Sequence, residues 1–174
     1  ASTPKKERLF EDSISLYYRA EPVQRSSGPT AVIVRELRSD ASEARARARL
    51  QNDYGVSKQL HHDGVLKPLE LLIRDTGLFL VFEDFNAVPL AKLIDADGMD
   101  ILQILKSSIR LADILGGIHG ERLIHRNITP KKILVDSKTW QIKLTGFDNA
   151  SRFSGEGAMQ GDDTMEGTPA YMAP

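Results

Sequence analysis

The stretch His125-Arg126-Asn127-Ile128-Thr129-Pro130-Lys131-Lys132-Ile133-Leu134-Val135 decides how this chain is read. Two others accompany it: Lys143-Leu144-Thr145-Gly146-Phe147-Asp148-Asn149-Ala150, and the end, Gly167-Thr168-Pro169-Ala170-Tyr171-Met172-Ala173-Pro174. Lys131 to Val135 and Gln141 to Leu144 are short β-forming runs around the polar Asp136-Ser137-Lys138, the pattern of a hairpin. From Ser151 to Gly167 the composition turns to Gly, Asp, Ser and Met with little periodicity, which predicts a loop.

Upstream of the hairpin, Ile101 to Ile118 has apolar residues at 101, 104, 105, 109, 111, 112, 115 and 118, the period of a helix. Leu69 to Ile73 and Leu78 to Phe82 read as strands joined at Asp75-Thr76-Gly77. Asp40-Ala41-Ser42-Glu43 is a capping signal that opens a helix over Ala44 to Leu60, interrupted by Gly55. Its Arg45, Arg47 and Arg49 lie about 200° apart in succession, so they spread around the helix and predict a solvated face, not a nucleic-acid groove. Further upstream, Ser13 to Ala20 and Ala31 to Arg35 are strand candidates joined through the Ser-Ser-Gly-Pro turn within Gln24 to Pro29. Residues 1–8 are polar and basic and read as a flexible terminus in preference to a nuclear-import signal.

Bulk composition narrows the class. The 174 residues carry a net charge of −1, which implies no polyelectrolyte partner. There is no cysteine, which excludes disulfides and thiolate chemistry and fits a reducing compartment. Apolar runs such as Leu78 to Phe82 are far too short to span a bilayer, and no charged-then-apolar signal opens the chain. A cytoplasmic domain, without membrane or nucleic-acid partners, is the expectation. Strands holding one helix, then a long helix, then a hairpin and a loop, suggest α+β with segregated layers.

The three quoted stretches resemble, in order and spacing, the catalytic loop, metal-binding segment and activation-segment end of a protein kinase. The resemblance spans roughly residues 10 to 174. It implies a bilobal α+β fold: a flexible terminus at 1–9, a five-stranded kinase-like N-lobe with one helix at 10–85, and a partial helical C-lobe at 86–174 ending in the activation segment. The family continues beyond Ala-Pro-Glu, so apolar surface is expected to be exposed on Ile101 to Ile118. Val65 to Leu72, Phe82 to Ala91 and Asn127 to Pro130 also resemble the kinase-like modules that head hybrid sensor histidine kinases.

Under this resemblance the chemical positions depart from the family. Its loop glycines fall on Phe10, Asp12 and Ser15. The Val-Ala-Ile-Lys strand becomes Val32-Ile33-Val34-Arg35, so arginine replaces lysine and Ile33 crowds the adenine site. The glutamate partner falls on Asp53, and Arg35 with Asp53 is expected to form a structural salt bridge. Asn127 replaces the catalytic aspartate and cannot take a proton as a carboxylate does. Lys132 stands at the magnesium asparagine and Gly146 at the magnesium aspartate. An offset of two residues would instead offer Asp148 as the metal ligand; the ungapped fit of Lys143, Leu144, Thr145 and Phe147 argues against it. Ile33, Arg35, Phe82, Glu83, Phe85 and Leu134 would line a vestigial nucleotide pocket, with Phe82 as gatekeeper. His125 and Phe147 match residues that pack the lobes together.

Loss of the base, both metal ligands, the lysine and the glycines predicts a pseudokinase. Such a domain is no enzyme. It binds neither ATP nor magnesium, and acts as a scaffold or allosteric regulator through protein contacts. Its partner would be another protein, another domain of the same polypeptide, or a second copy meeting the exposed C-lobe surface. The alternatives are a nucleotide-binding sensor without turnover and an atypical, weakly active serine/threonine kinase.

Overall fold

The structure, a computed structural model, describes residues 6–21, 31–38, 43–74, 77–96, 98–152 and 168–171. Ten strands occur among them: β1 (Lys6–Glu11), β2 (Ser15–Ala20), β3 (Val32–Leu37), β4 (Pro68–Arg74), β5 (Gly77–Glu83), β6 (Ala87–Pro89), β7 (Leu123–Ile124), β8 (Ile133–Asp136), β9 (Ile142–Leu144) and β10 (Ser151–Arg152). The helices are α1 (Glu43–Gln59), α2 (Leu90–Ala96) and α3 (Ile101–Gly120). The capping Asp40, the Ser-Ser-Gly-Pro turn, Asp75, Thr76, Thr164, Gly167 and Met172 to Pro174 lie outside the described residues.

Strands β1 to β5 form one antiparallel sheet in the order β1-β2-β3-β5-β4. β5 alternates strictly, burying Leu78, Leu80 and Phe82 on one face, as a half-buried strand must. Each side chain so buried contributes about 1.5–3 kcal/mol. Central β3 buries Ile33, Val34 and Arg35 in succession because both of its faces are covered.

The flexible terminus predicted at 1–9 differs here, since β1 begins at Lys6 and pairs with β2. Its charges mask its strand character, which suits an edge strand. A register shift between Arg8 and Phe10 marks a bulge, and the adjacent Leu9 and Phe10 are both buried.

Helix α1 turns Ala46, Leu50, Asp53 and Ser57 inward, spaced as one face of a helix. An acid therefore sits on the buried stripe. The segment after α1 joins the lobes: Leu66 N–H donates to Leu144 O at 2.9 Å, and Leu144 N–H to Gly64 O at 2.7 Å. Gly64 is required there, because a Cβ would lie 2.2 Å from Ile114 Cγ1.

Below the sheet, β6, β8 and β9 form a three-stranded antiparallel sheet and β7 pairs with β10. Helix α3 opens with a full capping box: Gln103 N–H donates to Asp100 Oδ1 at 2.7 Å, and Asp100 N–H donates in return to Gln103 Oε1 at 3.0 Å. Its buried residues are Ser107, Ile114 and Ile118, with Leu111 and Leu115 packed partly against the same core. Apolar surface is exposed on this helix as expected: Ile101 and Ile109, each 71 % exposed, face outward with Leu102, Ile104 and Leu105. Among the described residues no helix is long and apolar enough to cross a membrane.

Two cores result. One gathers Phe10, Tyr17, Ile33, Leu66, Leu80, Phe82 and Leu134; the other gathers Val65, Ile114, Ile118, Val135, Leu144 and Phe147. The cleft residues lie where these cores meet.

Candidate active-site cleft

Arg35 is fully buried on β3 and is held from several directions. Its Nη1 donates to Asp53 Oδ2 at 2.5 Å and lies 3.5 Å from Asp148 Oδ1, while Nε donates to Ser15 Oγ at 2.9 Å. Nη2 has no hydrogen-bond partner, and Asp12 Oδ2 lies 3.8 Å from it. The other oxygen of Asp53 accepts from Ser57 Oγ at 3.1 Å and from Phe147 N–H at 2.8 Å. Burial pushes the Asp53 carboxyl above the usual carboxylate range, against the pull of Arg35. The donors around it are nonetheless those that a carboxylate accepts.

Gly146 adopts φ 79°, ψ 52°, and Phe147 to Asn149 make a single 3-10 turn. Helix α1 clamps this turn from above, Asn52 Nδ2 donating to the carbonyls of Phe147, Asp148 and Ala150 at 3.1–3.2 Å. Phe147 packs on His125, ring centroids 4.6 Å apart. Phe147 therefore takes the ungapped place, yet Asp148 still reaches the site. Lys132 Nζ donates to Asp148 Oδ1 at 3.1 Å and to Gly146 O at 3.3 Å. Burial acts to raise the Asp148 carboxyl, but Arg35 and Lys132 together hold it below the ordinary range.

His125 accepts at Nδ1 from Asn127 N–H at 3.3 Å, and its Nε2 lies 3.1 Å from Thr145 O, which fits a neutral ring protonated at Nε2. Burial, helped by the Lys132 charge, lowers its pKa to about 4. It is a packing and positioning residue rather than a base. Asn127 Oδ1 accepts the hydroxyl of Thr168 at 3.0 Å.

A cavity of about 970 Å³ opens beside this network, lined among others by Asp12, Arg45, Arg49, Asn127, Lys131, Lys132, Asp148 and Thr168. Arg45 and Arg49, assigned from sequence to a solvated face, thus border the cleft. The hinge-side positions do not. Ile33, Phe82 and Leu134 are fully buried in the upper core with Phe10 and Tyr17, whose rings stack at 4.0 Å. Glu83 is exposed, and Phe85 lies under Lys143 Nζ at 5.3 Å. Where the family carries a glycine loop, Asp12 Oδ1 instead accepts from Ile14 N–H and Ser15 N–H at 3.0 and 2.7 Å, closing a tight turn. Among the described residues the open cavity thus lies on the side of Asp12, Lys132 and Asp148, away from the buried Ile33, Phe82 and Leu134.

The residues do not fit a magnesium ion. A divalent cation needs oxygen ligands; Lys132 supplies an ammonium and Gly146 no side chain. Among the described residues no group of three or more acids or histidines could hold a metal.

Sequence reasoning set Asp148 aside and passed over Asn52 altogether. Asp148 was visible from its place two residues beyond Gly146. Nothing in the sequence distinguished Asn52 from an ordinary surface residue on α1.

The protein kinase domain family matches residues 22–174. The chain is also similar to the serine/threonine-protein kinase cds1 of Schizosaccharomyces pombe, 30% identical over 141 residues, covering 80% of this chain and 30% of that protein. The chain thus spans less than a third of the length of that relative. These matches correct the expectation that the domain is no enzyme: the family and the relative both point to one. The expectation had weighed each lost side chain against a complete set, and had given no weight to a cleft that stays open and charged. From its antiparallel small lobe to the turn at Phe147, and over most of its length, this chain belongs to the protein kinase domain family.

Proposed function

We propose that the chain forms the cleft of an atypical, slow serine/threonine-type protein kinase that takes its phosphoryl donor by the polyphosphate end. The observation that carries this reading is the cavity itself, where Lys131, Lys132, Asn127 and Thr168 share one lining. Phosphoryl transfer passes through a loose transition state, so positioning and charge neutralisation matter more than covalent help. Lys131 supplies charge toward the donor oxygens, while Lys132, paired with Asp148, offsets that acid beside them. The Asn127 side-chain oxygen can orient a hydroxyl, as it does for Thr168. In the reaction, the acceptor oxygen bonds to the γ-phosphorus as the bridging P–O bond to ADP breaks. The hydroxyl proton leaves to water or a phosphoryl oxygen, because an amide does not take it. Losing the base costs about 10²–10⁴-fold, which makes the enzyme slow.

Transfer of label from γ-labelled ATP to a mixed serine/threonine substrate tests this. Wild type should show slow incorporation, and Asn127→Asp should raise it by about 10²-fold. Label no higher than in the protein-free control, for both proteins, would overturn the reading.

A second reading, regulation through protein contacts, is favoured by the outward Ile101, Leu102, Ile104, Leu105 and Ile109 of α3. The resemblance to modules of hybrid sensor histidine kinases supports a partner within the same polypeptide. For this isolated chain the face is expected to drive self-association. Sedimentation velocity should show an apparent mass rising with concentration, and Ile109→Glu should abolish the rise.

A further inference from the structure

Lys132 and Gly146 are tied together by more than their neighbouring places in the cleft. The Lys132 side chain is almost wholly buried, with its ammonium pinned between Asp148 Oδ1 and Gly146 O at 3.1 and 3.3 Å. A Cβ built on Gly146 would lie 2.8 Å from Lys132 Cδ, 2.9 Å from Cε and 3.1 Å from Nζ. Carbon atoms do not approach so closely, so the stem of Lys132 fills the space that a side chain at 146 needs. A lysine tip usually swings aside at little cost, but here moving it would break both ammonium bonds. The backbone at φ 79° strains any side chain, though not all equally. Asp and Asn adopt left-handed angles such as φ 79° more readily than other residues do. Lys132 adds a steric bar to the backbone strain that any side chain meets at this φ.

We infer that Lys132 and Gly146 are a single coupled replacement, in which a tethered ammonium occupies the place of a divalent metal and lets the adjoining cavity bind polyphosphate without one. The two residues stand where kinases place their metal-binding asparagine and aspartate. The ammonium lies against both positions at once. It brings one positive charge, already matched by Asp148, where a metal would bring two. Asp148 in turn is shared with Arg35, which also pairs with Asp53 and, at 3.8 Å, with Asp12. Each of these three acids is already paired with Arg35 or Lys132, so a second cation would have to displace one of those pairs. The metal-exclusion half of this inference stands on contacts alone; the polyphosphate half rests on the proposed phosphotransferase reading.

Two probes separate the halves. Titration of the wild-type chain with Mn²⁺ alone, followed by calorimetry, should show no binding at millimolar metal. Lys132→Asn/Gly146→Asp should gain Mn²⁺ binding, while Gly146→Asp alone should not gain it and should melt at lower temperature than wild type. Wild-type binding of Mn²⁺ would overturn the inference, as would a folded double variant that takes no metal. If the double variant does not fold, the wild-type arm and the Gly146→Asp melting comparison still decide. The second probe is inorganic tripolyphosphate in thermal unfolding. Its shift in wild type should be the same in EDTA as in magnesium. A tenfold tighter apparent affinity in magnesium would overturn the tethered-cation role. No shift in either buffer would sink the polyphosphate reading of the cavity, leaving the Mn²⁺ result to judge the coupling.

Discussion

Asp53→Ala is expected to lower folding stability by about 3–5 kcal/mol. Asp53 is fully buried and accepts from Arg35 Nη1, Ser57 Oγ and Phe147 N–H. Its removal orphans three donors at once, on β3, on α1 and on the turn after Gly146. Arg35 would keep Asp148 at 3.5 Å, but Asp148 is already committed to Lys132. Breaking one side of a buried pair costs far more than replacing both sides by apolar groups. The double variant Arg35→Met/Asp53→Leu should therefore be more stable than Asp53→Ala. Urea unfolding measures both, and typical domains have about 5–15 kcal/mol to lose. A loss below about 1 kcal/mol in Asp53→Ala would mean that the network is not a structural keystone.

The second large effect depends on pH. His125 is buried and its pKa falls from 6.5 to about 4. In the unfolded chain the ring takes a proton as pH drops below 6.5, whereas in the folded chain it stays neutral until about 4. The unfolded state thus binds more protons across that window, and stability falls as pH falls through it. The contribution is fully present above 6.5 and fully lost near 4, a total of roughly 3 kcal/mol for one group. Asp148 is depressed and adds a loss at lower pH, while the raised Asp53 acts in the opposite sense. Comparison with His125→Gln removes both carboxyls from the difference. Wild-type stability should drop between pH 6.5 and 4 and the variant's much less. Parallel curves would show that the ring is protonated without harm, and that its contact with Phe147 is looser than 4.6 Å implies.

The fold was legible where pattern and burial coincide. β5 alternates in sequence and in space, and the hairpin of β8 and β9 turns at Asp136 as its composition indicates. β1 was illegible because Lys6, Glu7 and Arg8 are exposed on an edge, where charge and strand coexist. On α3 the exposed apolar surface was expected, and Ile101, Leu102, Ile104, Leu105 and Ile109 form it, but which residues turn inward was not legible. Periodicity identifies a helix, but it does not say which of two apolar faces meets the core, and here Ile114 and Ile118 won over Ile101 and Ile109. At the site, the resemblance to the kinase motifs placed Arg35, Asp53, Asn127, Lys132 and Gly146 about one cleft. It could not foresee that Phe10 and Tyr17 stack into the upper core, because that contact depends on how the β1–β2 turn closes on Asp12. Nor could it foresee Asp148 serving two cations. That arrangement needs the 3-10 turn at Phe147 and the amide of Asn52 holding it from another element.

The 2.8 Å between Lys132 and the missing Cβ of Gly146 also bears on how the two positions can vary. An aspartate placed at 146 alone meets the lysine stem. An asparagine placed at 132 alone leaves Asp148 with one cation instead of two. Neither position can therefore change alone without disturbing the other: the side chain that 146 can carry is set by where the Lys132 stem lies.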